Sequence, residues 1–295
     1  MAEARRCNYT PSHSARSLRT SKSYAIGLVI PSMSNPFFAD MASVIIEEAN
    51  RRGYTAIIVD TMEAESNQKN ALDSLLSRQV EGIIVAPCGG EAQLEFLSES
   101  GLPVVLIDRY FEHTSLPYVT TNNYKGGVIA TQTLLEAGHR DIACIQGVTS
   151  SMPNAMRVQG YLDKMKESGN EQRVIVVGNE FSIRNGYLET RMLLSGDRRP
   201  TAIFALSNTI GLGAMKAIRE MNLRIPEDVS LISFDNNIYL DYMIPPIARI
   251  SQPLDDMSRL ATKILFERIS DSSIPASQIL LSPKLIPGGS VRSLI

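Results

Sequence analysis

The stretch Ala25-Ile-Gly-Leu-Val-Ile-Pro31 decides the fold class of this 295-residue chain. Short, continuous apolar runs of this kind are typical of strands that are buried on both faces of a parallel sheet. A helical pattern follows the run and ends at Gly53. The apolar residues that share one face of this helix are Phe38, Met41, Ala42, Ile45 and Ala49. The sequence therefore predicts a strand followed by an amphipathic helix.

The same alternation continues along the chain. Further strands are predicted at 55–59, 82–86, 104–107, 142–145, 173–177, 202–206 and 229–234. A helix that contains Leu72, Leu75 and Leu76 is predicted after a Ser66 or Asn67 cap. Further helices are predicted near 124–137, 154–168, 183–194, 209–222 and 254–269. Repeated strand–helix units predict doubly wound parallel sheets with right-handed crossovers. So many strands are better divided into two sheets, and we expect the division after about Asn122.

Composition restricts the class of protein. With 44% hydrophobic and 20% charged residues, the chain can form one large or two medium cores. A net charge of −2 means that any nucleic-acid binding must be local. Cys7, Cys88 and Cys144 are odd in number and lack metal-ligand spacing. The first 24 residues contain no apolar core, and no apolar run approaches a membrane span. We expect a cytoplasmic protein without a bound metal or membrane attachment.

Polar side chains collect where the predicted strands end, which is where doubly wound sheets bind ligands. These segments are 32–38, 87–90, 108–109, 147–151, 179–181, 207–209 and 235–237. Their hydroxyls, amides, carboxylates and few aromatic rings suit a polyhydroxylated ring. Singly, the same residues fit other roles: Asp108 and Asp235 could cap helices, and Phe37 and Phe38 could be core residues. The convergence of the set favours a ligand site.

The segment Asn8-Tyr-Thr-Pro-Ser-His-Ser-Ala-Arg-Ser-Leu-Arg19 is basic and capable of forming a helix. Pro11 can open this helix and Ser12 can cap it. It is too short to be helical alone in water, so it needs a partner to fold against. A solvated tail is the alternative interpretation.

In their order and spacing, several motifs resemble the LacI/GalR family of bacterial transcription regulators, across about residues 4–290. They are Asn8-Tyr-Thr-Pro with Ala15-Arg-Ser-Leu-Arg19, Ser34-Asn-Pro-Phe-Phe38, Leu106-Ile-Asp-Arg109, Gly138-His-Arg-Asp-Ile142, Arg157-Val-Gln-Gly-Tyr161, Pro200-Thr-Ala-Ile-Phe204, Ile225-Pro-Glu-Asp-Val229, Ser233-Phe-Asp-Asn236, and Pro245-Pro246 with Gln252-Pro253. The resemblance implies an α/β fold with two doubly wound parallel-sheet subdomains of periplasmic-binding-protein type I architecture. It implies a DNA-binding remnant and hinge at 1–23, one subdomain at 24–122 plus 253–281, and the other at 123–250 plus 283–295.

The resemblance also implies an effector-responsive, sugar-sensing regulator whose effector lies in a cleft. Carried over by position, the effector-binding residues are Phe37, Phe38, Asp108, Arg157, Phe181, Ser207, Asp235 and Gln252. Relatives often have Asn-Asp where this chain has Ser207-Asn208, and Asp-Asp where it has Asp235-Asn236. Both departures reduce negative charge and leave the effector open among sugars, phosphorylated sugars and a nucleobase. Few arginines follow the strands, which favours a neutral sugar slightly.

The resemblance gives the basic N-terminal segment a role as a hinge on operator DNA. Residues carried over as the DNA-binding hinge are Ser14, Ala15, Arg16, Leu18 and Arg19. Two hinges from a homodimer would enter the minor groove, and Leu18 would insert between base pairs. Relatives have roughly 45–50 residues before this point, which form a helix-turn-helix, whereas here only seven precede Asn8. We expect a truncation rather than a loss of that domain.

Two other function classes are alternatives. A periplasmic sugar-binding protein of a transporter shares the architecture, but it would carry a secretory signal and no basic hinge. An enzyme is not expected, and neither is a cofactor. Gly27 lies inside the first predicted strand rather than in a G-x-G-x-x-G loop, and no P-loop, zinc motif or G-x-S-x-G elbow occurs. Whether the effector induces or corepresses stays open.

Overall fold

A computed structural model describes residues 22–88, 90–99 and 101–295. These residues group into two compact units. The N-terminal unit contains the described residues up to Ser34, together with Phe38–Val119 and Ser258–Gln278. The C-terminal unit contains Asn35–Phe37, Thr120–Met257 and Ile279–Ile295. The proposed hinge residues Ser14, Ala15, Arg16, Leu18 and Arg19 lie outside the described residues.

Strands and helices alternate along most of the described chain. In the first half they are β1 Ala25–Ile30, α1 Pro36–Arg51, β2 Thr55–Asp60, α2 Glu65–Ser77, β3 Ile83–Val85, α3 Ala92–Glu99, β4 Val104–Ile107, β5 Tyr118–Thr121, α4 Asn123–Glu136 and β6 Ile142–Ile145. In the second half they are α5 Met152–Glu167, β7 Ile175–Val177, α6 Ile183–Ser195, β8 Ala202–Ala205, α7 Asn208–Glu220, β9 Ser230–Phe234, β10 Ala248–Ser251, α8 Leu254–Ser270, β11 Gln278–Leu281 and β12 Lys284–Ile286. Short 3₁₀ helices occupy Glu171–Arg173 and Ile238–Asp241.

The strands form two six-stranded sheets, which confirms the predicted α/β fold class. The first sheet has the order β11-β5-β4-β3-β1-β2, and β1 pairs in parallel with both β2 and β3. The second has the order β12-β10-β9-β8-β6-β7, and β6 pairs in parallel with both β7 and β8. The edge strand β12 runs antiparallel to β10. In each sheet the chain therefore winds first to one side of the initial strand and then to the other, which is the doubly wound arrangement that the alternating pattern predicted.

Burial on both faces explains the continuous apolar strands. In β1, Leu28, Val29 and Ile30 are fully buried, and the predicted inner face of α1 is buried as well. That helix ends as expected: Gly53 has a φ of +76°, which suits glycine in the left-handed region. In the C-terminal unit, Phe204 and Phe234 form the centre of the core with Tyr161.

Glycines bring pairs of helices into close contact in the C-terminal unit. A Cβ at Gly127 of α4 would collide with the carbonyl oxygen of Arg157 in α5. In the same way, a Cβ at Gly213 of α7 would collide with the carbonyl oxygen of Ile183 at the start of α6. The close approach of α4 and α5 holds Arg157 against the sheet.

Several local predictions are wrong. The strands β5, β10, β11 and β12 and the helix α3 were missed, and Arg173 belongs to a 3₁₀ turn rather than to β7. The predicted Ser66 or Asn67 cap is also wrong, because α2 begins at Glu65 after Ala64, which makes no side-chain cap. Within the described residues, no helix has both the length and the apolar character that a membrane span requires.

Candidate functional site

Each sheet has a point where the chain reverses its direction of winding, and this point defines where a ligand site is expected. In the first sheet it lies between β1 and β3, and in the second between β6 and β8. The segments that leave these strands and their neighbours carry the polar side chains that the sequence singled out.

The centre of the polar cluster in the C-terminal unit is Arg157, which is 4% exposed. Its Nε donates to Asn123 Oδ1 at 2.8 Å, and its Nη1 donates to the carbonyl oxygen of Leu206 at 2.6 Å. Its guanidinium carbon lies 3.6 Å from the centre of the Phe234 ring, a cation–π contact. Three elements therefore hold this guanidinium at the carboxyl ends of β8 and β9.

Asp235 follows β9 directly and has a φ of +73°, in the left-handed region. Its Oδ1 accepts a 2.7 Å hydrogen bond from Nε2 of Gln252, which follows β10. Asp235 is 3% exposed and Gln252 is 5% exposed. The buried Oε1 of Gln252 has no hydrogen-bond partner among the described residues. A strained residue beside an unsatisfied buried amide is typical of a site prepared for a ligand.

Ser207 has a structural role in the same region. Its Oγ accepts a hydrogen bond from Ile210 N at 3.2 Å and so caps α7. The next residue, Asn208, is fully buried, and its Nδ2 donates to Asn237 Oδ1 at 2.5 Å. Phe181 is half-buried and covers Gly147, where a Cβ would collide with its ring. This part of the unit thus combines buried amide groups with one half-buried aromatic ring.

The polar cluster of the N-terminal unit is built on Asp108 and Arg109, which follow β4. Asp108 has a φ of +64°, again in the left-handed region. Arg109 donates from Nη1 to Glu63 Oε2 at 2.8 Å and from Nη2 to Glu63 Oε1 at 2.6 Å. Its guanidinium carbon lies 5.9 Å from the centre of the Phe38 ring. Asp108, Arg109 and Phe38 are all buried.

Charge at Arg109 is stabilised despite its burial. Burial lowers the pKa of this guanidinium, but the hydrogen bonds and the negative charge of Glu63, with Asp108 nearby, outweigh that effect and raise it. Arg109 therefore stays charged and paired at the carboxyl edge of the first sheet.

The structure brings most of the predicted residues to two carboxyl-end clusters. Phe38 and Asp108 lie in the N-terminal unit, while Arg157, Ser207, Asp235 and Gln252 lie together in the C-terminal unit with Phe181 at their margin. Phe37 belongs to the C-terminal unit. It is 5% exposed, so it is also buried as a core residue would be, which is the alternative role that the sequence allowed.

The alternative role of Asp108 and Asp235 as helix caps is not observed. A strand follows Asp108, and the 3₁₀ helix after Asp235 begins at Ile238, with Asn237 rather than Asp235 at its cap position.

Sequence reasoning missed two residues of these clusters, Asn123 and Glu63, and placed Asn208 only within the segment 207–209. Asn123 holds Arg157, Asn208 is fully buried beside Ser207, and Glu63 holds Arg109. Asn208 and Asn123 lie two or three residues after the ends of β8 and β5, which is a usable signal, whereas nothing in the sequence marks Glu63. The clusters contain groups that can donate hydrogen bonds to hydroxyl groups and accept hydrogen bonds from them. Within the described residues, no group of three or more His, Cys, Asp or Glu side chains could hold a metal ion.

Comparisons with known proteins give the family. Residues 131–291 match the periplasmic binding protein-like domain. The chain is 32% identical over 288 residues to the ribose operon repressor of Haemophilus influenzae, covering 97% of this chain and 87% of the repressor. It is also 32% identical over 290 residues to the HTH-type transcriptional repressor PurR of Pasteurella multocida, covering 97% and 86%. The chain belongs to the LacI/GalR family of transcription regulators.

A solved structure agrees with this membership. A LacI family transcriptional regulator from Enterococcus faecium, solved with bound ribose, superposes with a TM-score of 0.84 at 26% identity and covers 92% of this chain and 100% of its own. As a LacI/GalR member, the chain is an effector-responsive transcription regulator and not an enzyme. The transporter alternative is not favoured, because these relatives are repressors.

Proposed function

We propose that this regulator senses a small neutral sugar of the ribose class and acts on operator DNA as a cytoplasmic homodimer. The proposed effector-binding residues are Phe37, Phe38, Asp108, Arg157, Phe181, Ser207, Asp235 and Gln252. The proposed subdomains are 24–122 plus 253–281 and 123–250 plus 283–295, after an N-terminal hinge and DNA-binding segment.

The observation that carries the proposal is the prepared polar cluster around Arg157 and Asp235. The guanidinium of Arg157 donates hydrogen bonds, and the buried carboxylate of Asp235 accepts them. The amide oxygen of Gln252 has no hydrogen-bond partner among the described residues. Vicinal hydroxyls of a sugar both donate and accept, so they match this set better than an apolar or purely anionic molecule does. The ribose seen in the Enterococcus faecium relative supports the same class of effector.

The test is a thermal-shift panel of neutral sugars that includes ribose. We expect at least one neutral sugar to raise the melting temperature of the wild type and to lose that effect in Arg157→Gln. Arg140→Gln is the control, because Arg140 donates to the carbonyls of Leu135 and His139 at the opposite end of the sheet. An equal sugar-induced rise in wild type and Arg157→Gln would refute the site.

An apolar face of the C-terminal unit supports the homodimer. This face consists of Leu212, Met215, Met243 and Ile244, which line a groove of about 810 Å³. Ile244 is fully exposed, and the neighbouring Tyr242 is 78% exposed. Exposed apolar surface of this kind marks protein interfaces. A second copy of the chain is the occupant we propose, because two-fold operators require two-fold regulators.

The hinge proposal rests on the family and on the basic composition of 14–19. Arg16 and Arg19 suit phosphates, and Leu18 suits insertion between base pairs in the minor groove. Sugar binding would act on DNA by favouring one of two conformations of the dimer, through the differential affinity of the sugar for the two.

A further inference from the structure

The pair formed by Glu63 and Arg109 is not explained by regulator function alone. Arg109 presents two parallel Nη donors, a geometry that binds a carboxylate or a phosphate in a bidentate manner. Here Glu63 occupies both donors, at 2.8 and 2.6 Å. The remaining Nη1 contact goes to the carbonyl oxygen of Pro87 at 3.3 Å. The one guanidinium of this cluster that could bind an external anion is thus taken by a carboxylate of the same chain.

The backbone around Glu63 forms a tight turn, in which Ala64 N donates to the carbonyl oxygen of Thr61 at 3.0 Å. Met62 has a φ of +50° and Glu63 a φ of +56°, and neither is glycine. Two successive side chains in the left-handed region are costly unless their surroundings hold them there. Met62 N donates to Asp60 Oδ1 at 2.8 Å, and the carboxylate of Glu63 is held by Arg109. The loop after β2 is therefore fixed so that it delivers a carboxylate to Arg109.

Charge at this cluster favours uncharged ligands. Arg109 contributes one positive charge, while Glu63 and Asp108 contribute two negative charges, which leaves a net charge of about −1. The side chain of Glu63 is 32% exposed, so solvent and solutes reach its oxygens, whereas that of Arg109 is only 9% exposed. An incoming molecule therefore meets carboxylate oxygens before it meets the guanidinium. Those oxygens accept hydrogen bonds from hydroxyls and repel phosphates.

We propose that Glu63 is a specificity-determining residue that restricts the effector to uncharged polyols and excludes phosphorylated sugars. The inference rests on the proposed effector function, because it assigns a selection step to the same region. Glu63 occupies the Arg109 donors in place of a phosphate, and the tethered carboxylate competes with any free anion. A hydroxyl group needs no such displacement, because it can donate to the partly exposed carboxylate of Glu63 directly.

The test compares the anion affinity of wild type with that of two Glu63 variants and one matched control. Glu63→Gln removes the charge but keeps the length of the side chain. Glu63→Gly removes the side chain that pairs with the two Arg109 Nη donors, and glycine also suits the left-handed backbone at this position, so this variant is expected to fold. Glu65→Gln is the control: it removes the same charge two residues away, where Glu65 Oε1 accepts from Gly90 N. Inorganic phosphate, ribose 5-phosphate and ribose are the probes, measured by calorimetry and thermal shift.

We expect inorganic phosphate and ribose 5-phosphate to bind both Glu63 variants roughly tenfold or more tightly than they bind wild type or Glu65→Gln. Equal phosphate affinity in wild type and both Glu63 variants would overturn the inference, and so would an equal gain in Glu65→Gln. The inorganic phosphate arm does not depend on the identity of the sugar. Failure of every neutral sugar to bind wild type would therefore count against the proposed function, whereas a flat phosphate response would count against Glu63.

Discussion

Asp235→Asn separates ligand recognition from folding in the C-terminal unit. Asparagine tolerates the φ of +73° at this position. Its Oδ1 can still accept the 2.7 Å hydrogen bond from Gln252 Nε2. Only the hydrogen bond from Asn208 N to Asp235 Oδ2 is lost, because the NH₂ group of asparagine cannot accept it, and at 3.4 Å that bond is weak. We therefore expect a folded protein that has lost one negative charge and gained an NH₂ donor.

The expected loss of affinity follows from the difference between charged and neutral hydrogen bonds. A hydrogen bond to a charged group contributes about 1.5–3 kcal/mol, and leaving it unmade raises the dissociation constant about 10- to 150-fold. A ligand at about 100 times its dissociation constant stabilises the wild type by about 2.7 kcal/mol. At the same concentration a 10-fold weaker variant gains about 1.4 kcal/mol, and a 100-fold weaker one about 0.4 kcal/mol.

Calorimetry with ribose, or with the best neutral sugar of the panel, measures the dissociation constants directly. Asp141→Asn is the matched control, because Asp141 precedes β6 at the opposite end of the sheet and pairs with Arg173 and Arg198. We expect the control to melt earlier than wild type without the sugar but to bind it with unchanged affinity. A dissociation constant of Asp235→Asn within about twofold of wild type would refute the role of Asp235, since one charged hydrogen bond accounts for more than that.

Three further predictions concern assembly and stability. Ile244→Asp should shift the dimer towards monomer in sedimentation experiments. The Leu280→Asp control, at an exposed site outside the groove, should stay dimeric. An unchanged dimer in Ile244→Asp would contradict the proposal that the apolar face forms the dimer interface. Gly213→Ala should lower the free energy of unfolding by about 1–3 kcal/mol, because the new Cβ would collide with the Ile183 carbonyl oxygen. Gly196→Ala is the control and should not lower it, because the nearest atom to its Cβ is at 3.8 Å. Equal melting temperatures of the two variants would contradict the close packing of α6 and α7. Burial lowers the pKa of His139, so the unfolded chain binds the proton more readily than the folded protein does. The free energy of unfolding should therefore fall as the pH drops below about 6.5. His139→Gln should weaken this pH dependence in urea unfolding, and an unchanged pH dependence would contradict the role of His139.

The sequence predicted those parts of the fold in which apolar character is continuous. Strands β1, β4 and β6 were predicted with their observed bounds, because every residue in them is apolar and they are covered on both faces. The missed strands depart from this pattern for identifiable reasons. In β10, the buried Arg249 breaks the apolar run, and it is compensated by Asn236 and Asp241, which local sequence does not reveal. In β11, burial alternates along an exposed edge.

The candidate site was predicted as a set of residues but not as a network of contacts. Position after a strand was enough to single out Asp108 and Asp235, since the carboxyl ends of parallel strands meet at one edge of a sheet. It did not reveal that both residues have positive φ, because backbone conformation at such a turn depends on tertiary contacts. Glu63 was missed because its partner Arg109 is 46 residues away in the chain.

Operator affinity with and without the sugar tests the central claim most directly. The chain, joined to a helix-turn-helix domain, is titrated onto an operator fragment in the absence and presence of a saturating neutral sugar. We expect the dissociation constant for DNA to change by about 5- to 150-fold in wild type, the usual range of such coupling, and by less in Asp235→Asn at the same sugar concentration. An operator affinity that is the same with and without a sugar known to bind would contradict the account.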